Sequence, residues 1–394
     1  MFSDRVPRDL AVNRLTRAVA DLTRRGRQYI DLTESNPTRA GFEYPRDLLA
    51  PLADPDALLY RPAARGLPSA RAAVARDYGR QGVAVEADRI VLTASTSDAY
   101  SMLFKLLTDA GDEVLVPRPS YPLFEPLARL DLVAPRPYDL DIHGGWTIDV
   151  DSVARAITPR TRVLLLVSPN NPTGSFVTAH EFNQLASLCA PHGIAIVADE
   201  VFADYELEPG AAARAARAAA RVDVLAFGLG GLSKSAGLPQ VKLGWIAVGG
   251  PEALAGAAIE RLDHICDTYL AVSTPVQVAA PALLERGAGV RAQIARRIAA
   301  NYAAIVAAGD RAPSVRVLPS AGGWYVVLQV PSLDAEEELV LDLLATDEVL
   351  VHPGYFFDFP RESFLIVSLL PPPATFAAGV ERVLRHFTCK VGRS

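Results

Sequence analysis

The sequence predicts an α/β fold: a mostly parallel sheet layered with helices, joined to a smaller α+β unit. Three observations carry this. Six apolar runs lie between residues 89 and 249, and several are continuous rather than alternating, as strands buried on both faces require. Helical segments separate most of them, which is the doubly wound pattern. After residue 250 the chain changes to long Ala/Arg-rich helices with a few short strands.

Taken in chain order, residues 8–26 form an amphipathic helix, with Leu10, Val12, Leu15, Val19 and Leu22 near helical spacing. YIDLTESNPT is a short strand breaking at Asn36-Pro37. An irregular Pro-rich stretch reaches residue 68, and a helix covers 69–80. The strands are then RIVLTA (89–94), DEVLVP (112–117), RVLLLVSP (162–169), IAIVAD (194–199), VLAFGL (224–229) and LGWIAVG (243–249). The helices between them cover 97–108, 120–130 and 178–191, and Ala-rich 211–220 is a solvated connector. Helices at 252–271 and 276–309 lead to strands near 314–318 and 323–330. A helix at 335–346, strands at 348–351 and 364–369 and a helix at 374–387 complete the chain. The expected division is a large domain over 46–284 and a discontinuous small domain from 1–45 and 285–394.

Composition excludes several classes. Half of the 394 residues are apolar and 21% are charged, so the chain is globular rather than disordered. A net charge of −6 leaves no nucleic-acid footprint. Three cysteines without metal or CxxC spacing suit a reducing cytoplasm, the expected location. No stretch reaches the roughly 18 apolar residues of a membrane helix, and charges stand at the N-terminus where a signal peptide needs an apolar core. Of 39 basic residues only Lys105, Lys234, Lys242 and Lys390 are lysine. Arginine serves wherever charge suffices, but it forms no Schiff base at neutral pH.

Ligands of open α/β sheets bind beyond the carboxyl ends of the strands. There the chain places Ser95-Thr96-Ser97-Asp98 opening a helix, Asn170-Asn171-Pro172-Thr173-Gly174, Asp199-Glu200 and Leu232-Ser233-Lys234. Singly, each has an ordinary explanation: a helix cap, a turn, a solvated lysine. Together they supply an amine, a carboxylate, an amide and a helix N-terminus able to hold an anion. Pyridoxal phosphate requires that set: an amine for its aldehyde, a carboxylate for its ring nitrogen, a partner for its phenolic oxygen and an anion cup.

With these motifs the chain resembles the class I/II aminotransferases, fold-type I pyridoxal-phosphate enzymes of the aspartate, alanine and aromatic aminotransferase kind, from about residue 28 onward. LTESNPT (32–38), YRPAARG (60–66), TASTSDA (93–99), PSYPLFE (119–125), SPNNPTG (168–174), ADEVFADY (198–205), LSKSAGLPQVKLGW (232–245) and GGWYVVL (322–328) carry the likeness. The resemblance implies a large domain built on a mostly parallel, seven-stranded-type sheet and a small α+β domain. It implies that Lys234 is the Schiff-base lysine and proton shuttle, that Asp199 pairs with the ring nitrogen, that Asn171 bonds the phenolic oxygen and that Tyr121 stacks on the ring. Thr96, Ser97 and Lys242 would hold the phosphate, and Ser233 would also bind the cofactor. Tyr60 would reach the neighbouring subunit's cofactor, making the active unit a homodimer that transfers an amine from a small amino donor to a 2-oxo acid.

Four positions depart from the family. The usual tyrosine three residues after Asp199 is Phe202. Gly231 and Lys242 stand where the phosphate cup commonly has serine and arginine. Ser35 replaces a glycine in the N-terminal loop, making Ser35 and Asn36 candidate substrate contacts. The substrate-carboxylate arginine falls on Leu365 or Ile366, depending on register; Arg361 is the candidate substitute. These departures keep a second expectation open: a lyase or synthase on the same fold, acting by elimination, decarboxylation or bond formation. A regulator that kept the fold and lost catalysis is expected to carry an added DNA-binding segment, for which 27 preceding residues are too few. A nicotinamide enzyme lacks its GxGxxG after the first buried strand.

Overall fold

A computed structural model describes residues 2–331, 334–361 and 363–391; the side chain of Lys390, one of the four lysines, lies outside the described residues. The N-terminal helix α1 is shorter than expected, Arg14–Arg24, because Asn13 caps it by accepting the Thr16 N–H at 2.7 Å. Strand β1 (Ile30–Asp31) follows, and α2 (Pro68–Arg80) opens with proline at its first turn.

The large sheet and its helices come next: β2 (Ile90–Thr93), α3 (Thr96–Leu107), β3 (Glu113–Arg118), α4 (Phe124–Leu130), β4 (Ala134–Ile142), β5 (Trp146–Ile148), α5 (Val150–Ala156), β6 (Thr161–Val167), α6 (Ala179–Cys189), β7 (Ala195–Asp199), α7 (Ala211–Arg214), β8 (Ala226–Gly231), α8 (Leu232–Ser235) and β9 (Gly244–Gly249). The order is β2-β9-β8-β7-β6-β3-β4-β5. Pairing is parallel from β8 through β4 and antiparallel at β9 and β5. The short edge strand β5 is the eighth. Neither β4 nor β5 has a continuous apolar run, so both escape a search for buried strands. Pro135 and Pro137 sit in the half of β4 that β5 leaves uncovered, where missing N–H donors cost nothing. The connector at 211–220 is α7 and a single 3₁₀ turn. A capping box at Thr178 and Glu181 starts α6.

Beyond the sheet run α9 (Glu252–Tyr269), α10 (Thr274–Arg286), α11 (Ala288–Gly309), β10 (Arg316–Val317), β11 (Tyr325–Gln329), α12 (Glu336–Thr346), β12 (Val349–Leu350), β13 (His352–Pro353), β14 (Phe364–Ser368) and α13 (Pro373–Val391). The single helix expected over 276–309 is two, divided at Gly287, where a Cβ would lie 2.5 Å from that of Ala236. Strands β10, β11, β14 and β13 form an antiparallel sheet, and β1 pairs with β12.

One contact joins the sheets, and another fixes a loop of the second. Gly174 has φ +73°, and a Cβ there would lie 2.5 Å from the Gly322 carbonyl, so only glycine lets the turn after β6 meet the loop before β11. Glu336, 2% exposed, accepts the backbone N–H groups of Tyr355, Ser363 and Phe364 at 2.8–2.9 Å. One carboxylate thereby fixes both ends of the 355–363 loop. Glu336→Ala would leave three backbone donors without it, that of Phe364 buried, and bonds to a charged group are the strong kind. Chemical denaturation is expected to show a loss of roughly 3 kcal/mol or more; a loss under about 1 kcal/mol would contradict the clamp.

Candidate active site

Strands β2, β8, β7 and β6 run in one direction, since β9 is antiparallel to both β2 and β8. Their carboxyl ends therefore share one edge of the sheet. Onto it fall α3 after β2, the Asn170–Gly174 turn after β6, Asp199 ending β7 and α8 after β8. Six of the expected residues meet there, Thr96, Ser97, Asn171, Asp199, Ser233 and Lys234, and Lys242 enters the same edge just ahead of β9.

Lys234 Nζ lies 4.8 Å from the Trp324 ring centroid and 5.4 Å from that of Phe202. Burial pushes its amine down to about 8, partly opposed by the negative charge of Asp199. Burial likewise pushes Asp199 up to about 6; the Val201 N–H (3.2 Å) and the Tyr100 hydroxyl (3.2 Å) act the other way by donating to its carboxylate. The next residue, Glu200, turns away into a buried pair with Arg217 at 2.7 Å. Of the two consecutive acids, only Asp199 is free for the site.

Asn171 is buried, and its amide oxygen has no partner. Thr96 and Ser97 are the first two residues of α3, whose cap Ser95 accepts the Asp98 N–H at 3.1 Å. Their own N–H groups remain free at the positive end of the helix. A Cβ at Gly244 would lie 3.1 Å from the Thr96 nitrogen, so β9 starts directly beneath this turn. Lys242, two residues earlier, is exposed in a left-handed conformation with φ +59°. Ser233 is half-buried beside Lys234. Tyr121 is 42% exposed, and the charge of Asp199 contributes after burial to raising its phenol.

The remaining candidates divide. Ser35 is hydrogen-bonded to the buried Tyr325, whose hydroxyl is pushed up to about 12, first by burial. Asn36 spends its side-chain oxygen on the Thr38 N–H and hydroxyl, closing an Asx turn. Tyr60 is 67% exposed beside Met102 and Cys266 and does not join the Lys234 cluster of its own chain. Arg361 is exposed, its guanidinium 5.5 Å above the Phe364 ring, and is not brought to the cluster either. Leu365 and Ile366 are both buried in β14 and point to opposite faces. Ile366 pairs with Val327, two residues from Tyr325, so Ile366 and Tyr325 share a face and Leu365 points to the other.

Residue-type reasoning left several contacts unassigned. Trp324 and Tyr325 lie in a quoted motif, GGWYVVL, yet only the fold carries β11 over Lys234. Tyr205, in ADEVFADY, donates to the Lys234 carbonyl at 2.5 Å. Tyr100 lies one helical turn after Thr96, a spacing that could have marked it.

These residues fit pyridoxal phosphate. An amine without a hydrogen bond faces aromatic walls, a carboxylate stands across from it, a buried amide lacks a partner, and a helix start presents free N–H groups. The description "Aminotransferase class I and II" matches residues 29–383. The alanine aminotransferase of Mycobacterium tuberculosis (strain ATCC 25618 / H37Rv) is 29% identical over 376 residues, covering 92% of this chain and 86% of its own. The glutamate-pyruvate aminotransferase AlaA of Escherichia coli (strain K12) is 28% identical, with 88% of each covered. Among solved structures, an alanine aminotransferase from Pyrococcus furiosus superposes with a TM-score of 0.88 at 24% identity, covering 98% of this chain and 100% of its own, a likeness of fold. These relatives favour amino-group transfer over the lyase or synthase alternative. The chain belongs to the class I and II aminotransferases, of fold type I, and is a pyridoxal-5'-phosphate-dependent aminotransferase.

Proposed function

We propose that this enzyme moves an amine from a small amino acid to a 2-oxo acid, with Lys234 as the reacting amine. The observation carrying this is the amine of Lys234, without a hydrogen bond and set between Trp324 and Phe202 across from Asp199. When bound, pyridoxal phosphate supplies the electron sink that acidifies the substrate α-carbon. Lys234 would hold the cofactor through Nζ, and the same amine would take a proton from the substrate α-carbon and hold it for return. Its depressed basicity suits that exchange near neutral pH. Asp199, pushed up to about 6 by burial and held in orientation by Tyr100, would face the ring nitrogen as an anion at neutral pH. Asn171 would bond the phenolic oxygen and Tyr121 would cover the ring. Thr96, Ser97 and Lys242 would cup the phosphate with Ser233 beside the cofactor, Lys242 as a point charge where an arginine would be bidentate.

The names of the relatives, alanine and glutamate-pyruvate aminotransferases, support L-glutamate as donor with pyruvate as acceptor, or in reverse L-alanine as donor with the oxo acid of glutamate as acceptor. Adding L-alanine or L-glutamate alone to the loaded enzyme is expected to convert its absorbance stoichiometrically to the amine form, and pyruvate to reverse this. Release of ammonia or carbon dioxide in place of that reversible exchange would overturn the reading.

The same reading divides the chain into a large domain, 46–284, and a small domain, 1–45 with 285–394, and places the enzyme in the cytoplasm as a homodimer. Exposed Leu58, Leu59, Tyr60 and Tyr269 (91%, 56%, 67% and 56%) support the dimer, and Tyr60 serves the second subunit's phosphate. Sedimentation velocity should give a dimer at micromolar concentration, and mixing Tyr60→Ala with Lys234→Ala chains should restore partial activity. A monomeric active enzyme, or mixed dimers without activity, would contradict it.

A further inference from the structure

Directly opposed residues of antiparallel strands project from the same face of a sheet. Tyr325 opposes Ser368, Val327 opposes Ile366, and Ile366 opposes His352. These five therefore share one face. Tyr325 identifies it: bonded to Ser35 and sensitive to Tyr121, it packs edge-on against Phe202, whose ring lies beside Lys234 Nζ. Tyr325 thus brings one end of this face to the ring beside the reacting amine.

Its polar side chains are not equally free. Tyr325 is bonded to Ser35, and the Ser368 hydroxyl donates to the Glu34 carbonyl at 2.6 Å. His352 makes no hydrogen bond; its Nδ1 is buried without a partner, a costly state for a polar atom. Phe356 and Phe357 wall the ring at 6.0 and 5.8 Å, and the Phe357 carbonyl accepts the Ser120 N–H, next to Tyr121. His352 is thus joined to the Tyr121 loop through a single residue. Beside it, Ile366 offers no polar group.

We propose that His352 recognises the substrate carboxylate, donating one hydrogen bond from the strand that neighbours Ile366. Both substrates of an amine exchange between an amino acid and an oxo acid carry a carboxylate beside the reacting carbon, and Ile366 leaves its own position without a donor. Burial pushes the imidazole down to about 4, with Asp31 opposing, so at neutral pH the ring is uncharged and offers one N–H. One N–H holds a carboxylate less rigidly than an arginine fork does, so discrimination by the carboxylate is modest and sensitive to this one side chain.

The proposal rests on Lys234 being the reacting amine, and its test separates the two. L-alanine and ethylamine differ by the carboxylate. In the cofactor-loaded enzyme, His352→Phe should lower kcat/KM for L-alanine about tenfold or more, mainly through KM, given the strength of a hydrogen bond to a charged group. Ethylamine should change less than about twofold, and His352→Gln, which keeps an N–H, should recover most of the loss. Propionate, which has the carboxylate and no amine, should bind about tenfold more weakly to His352→Phe by tryptophan fluorescence. Equal losses for alanine and ethylamine, or unchanged propionate binding, would overturn the role of His352. If neither amine converts the cofactor but propionate binding still depends on His352, the reading of Lys234 fails and the carboxylate site stands.

Discussion

An amine and a carboxylate withdrawn from water at the same edge of a sheet constrain everything around them. Desolvation disfavours the charged form of each, and their opposite charges favour it. The balance brings Lys234 down to about 8 and Asp199 up to about 6, so near neutral pH each is within reach of a proton transfer. Neither group has a hydrogen-bonding side chain of opposite charge. Trp324 and Phe202 offer Lys234 only ring faces, and Asp199 receives a phenol and a backbone N–H. A salt bridge in direct contact would have returned both to ordinary values and removed the free amine that cofactor chemistry requires.

The fold supplies what keeps these groups in place. Parallel strands β6, β7 and β8 deliver Asn171, Asp199 and Lys234 to one edge, and Tyr205 ties the Lys234 carbonyl down from the β7 side. The second sheet reaches the site at Tyr325. Its approach depends on close contact at Gly174, and the buried Glu336 carboxylate holds the loop carrying Phe357. Because Phe357 touches both the Tyr121 loop and His352, the loop clamp and this face of the second sheet are one mechanical unit.

Much of this was legible in the residues because buried parallel strands leave continuous apolar runs, and the residues after those runs are where ligands bind. Lys234 stood out because lysine is rare here, and Asp199 and Asn171 because each follows such a run. What escaped has equally physical reasons. Strand β4 carries prolines and exposed positions, so its pattern is that of a loop. Tyr100 acts from the middle of a helix, where a tyrosine reads as core. His352 and Ile366 are neighbours only through antiparallel pairing between distant segments, and the choice between Leu365 and Ile366 is a question of register, which side-chain chemistry cannot answer. Tyr60 and Arg361 are both surface residues in the single chain, and Arg361 lies over Phe364.

The central claim is that Lys234 is a buried, weakened base beside a buried carboxylate. The scarcity of lysine makes it directly observable: in cofactor-free protein with lysine side chains labelled for NMR, the resonance lost in Lys234→Ala can be followed against pH. The account predicts a midpoint near 8, moving lower in Asp199→Asn because the carboxylate holds the ammonium form. A midpoint at the ordinary amine value of about 10.4, unmoved by Asp199→Asn, would contradict it.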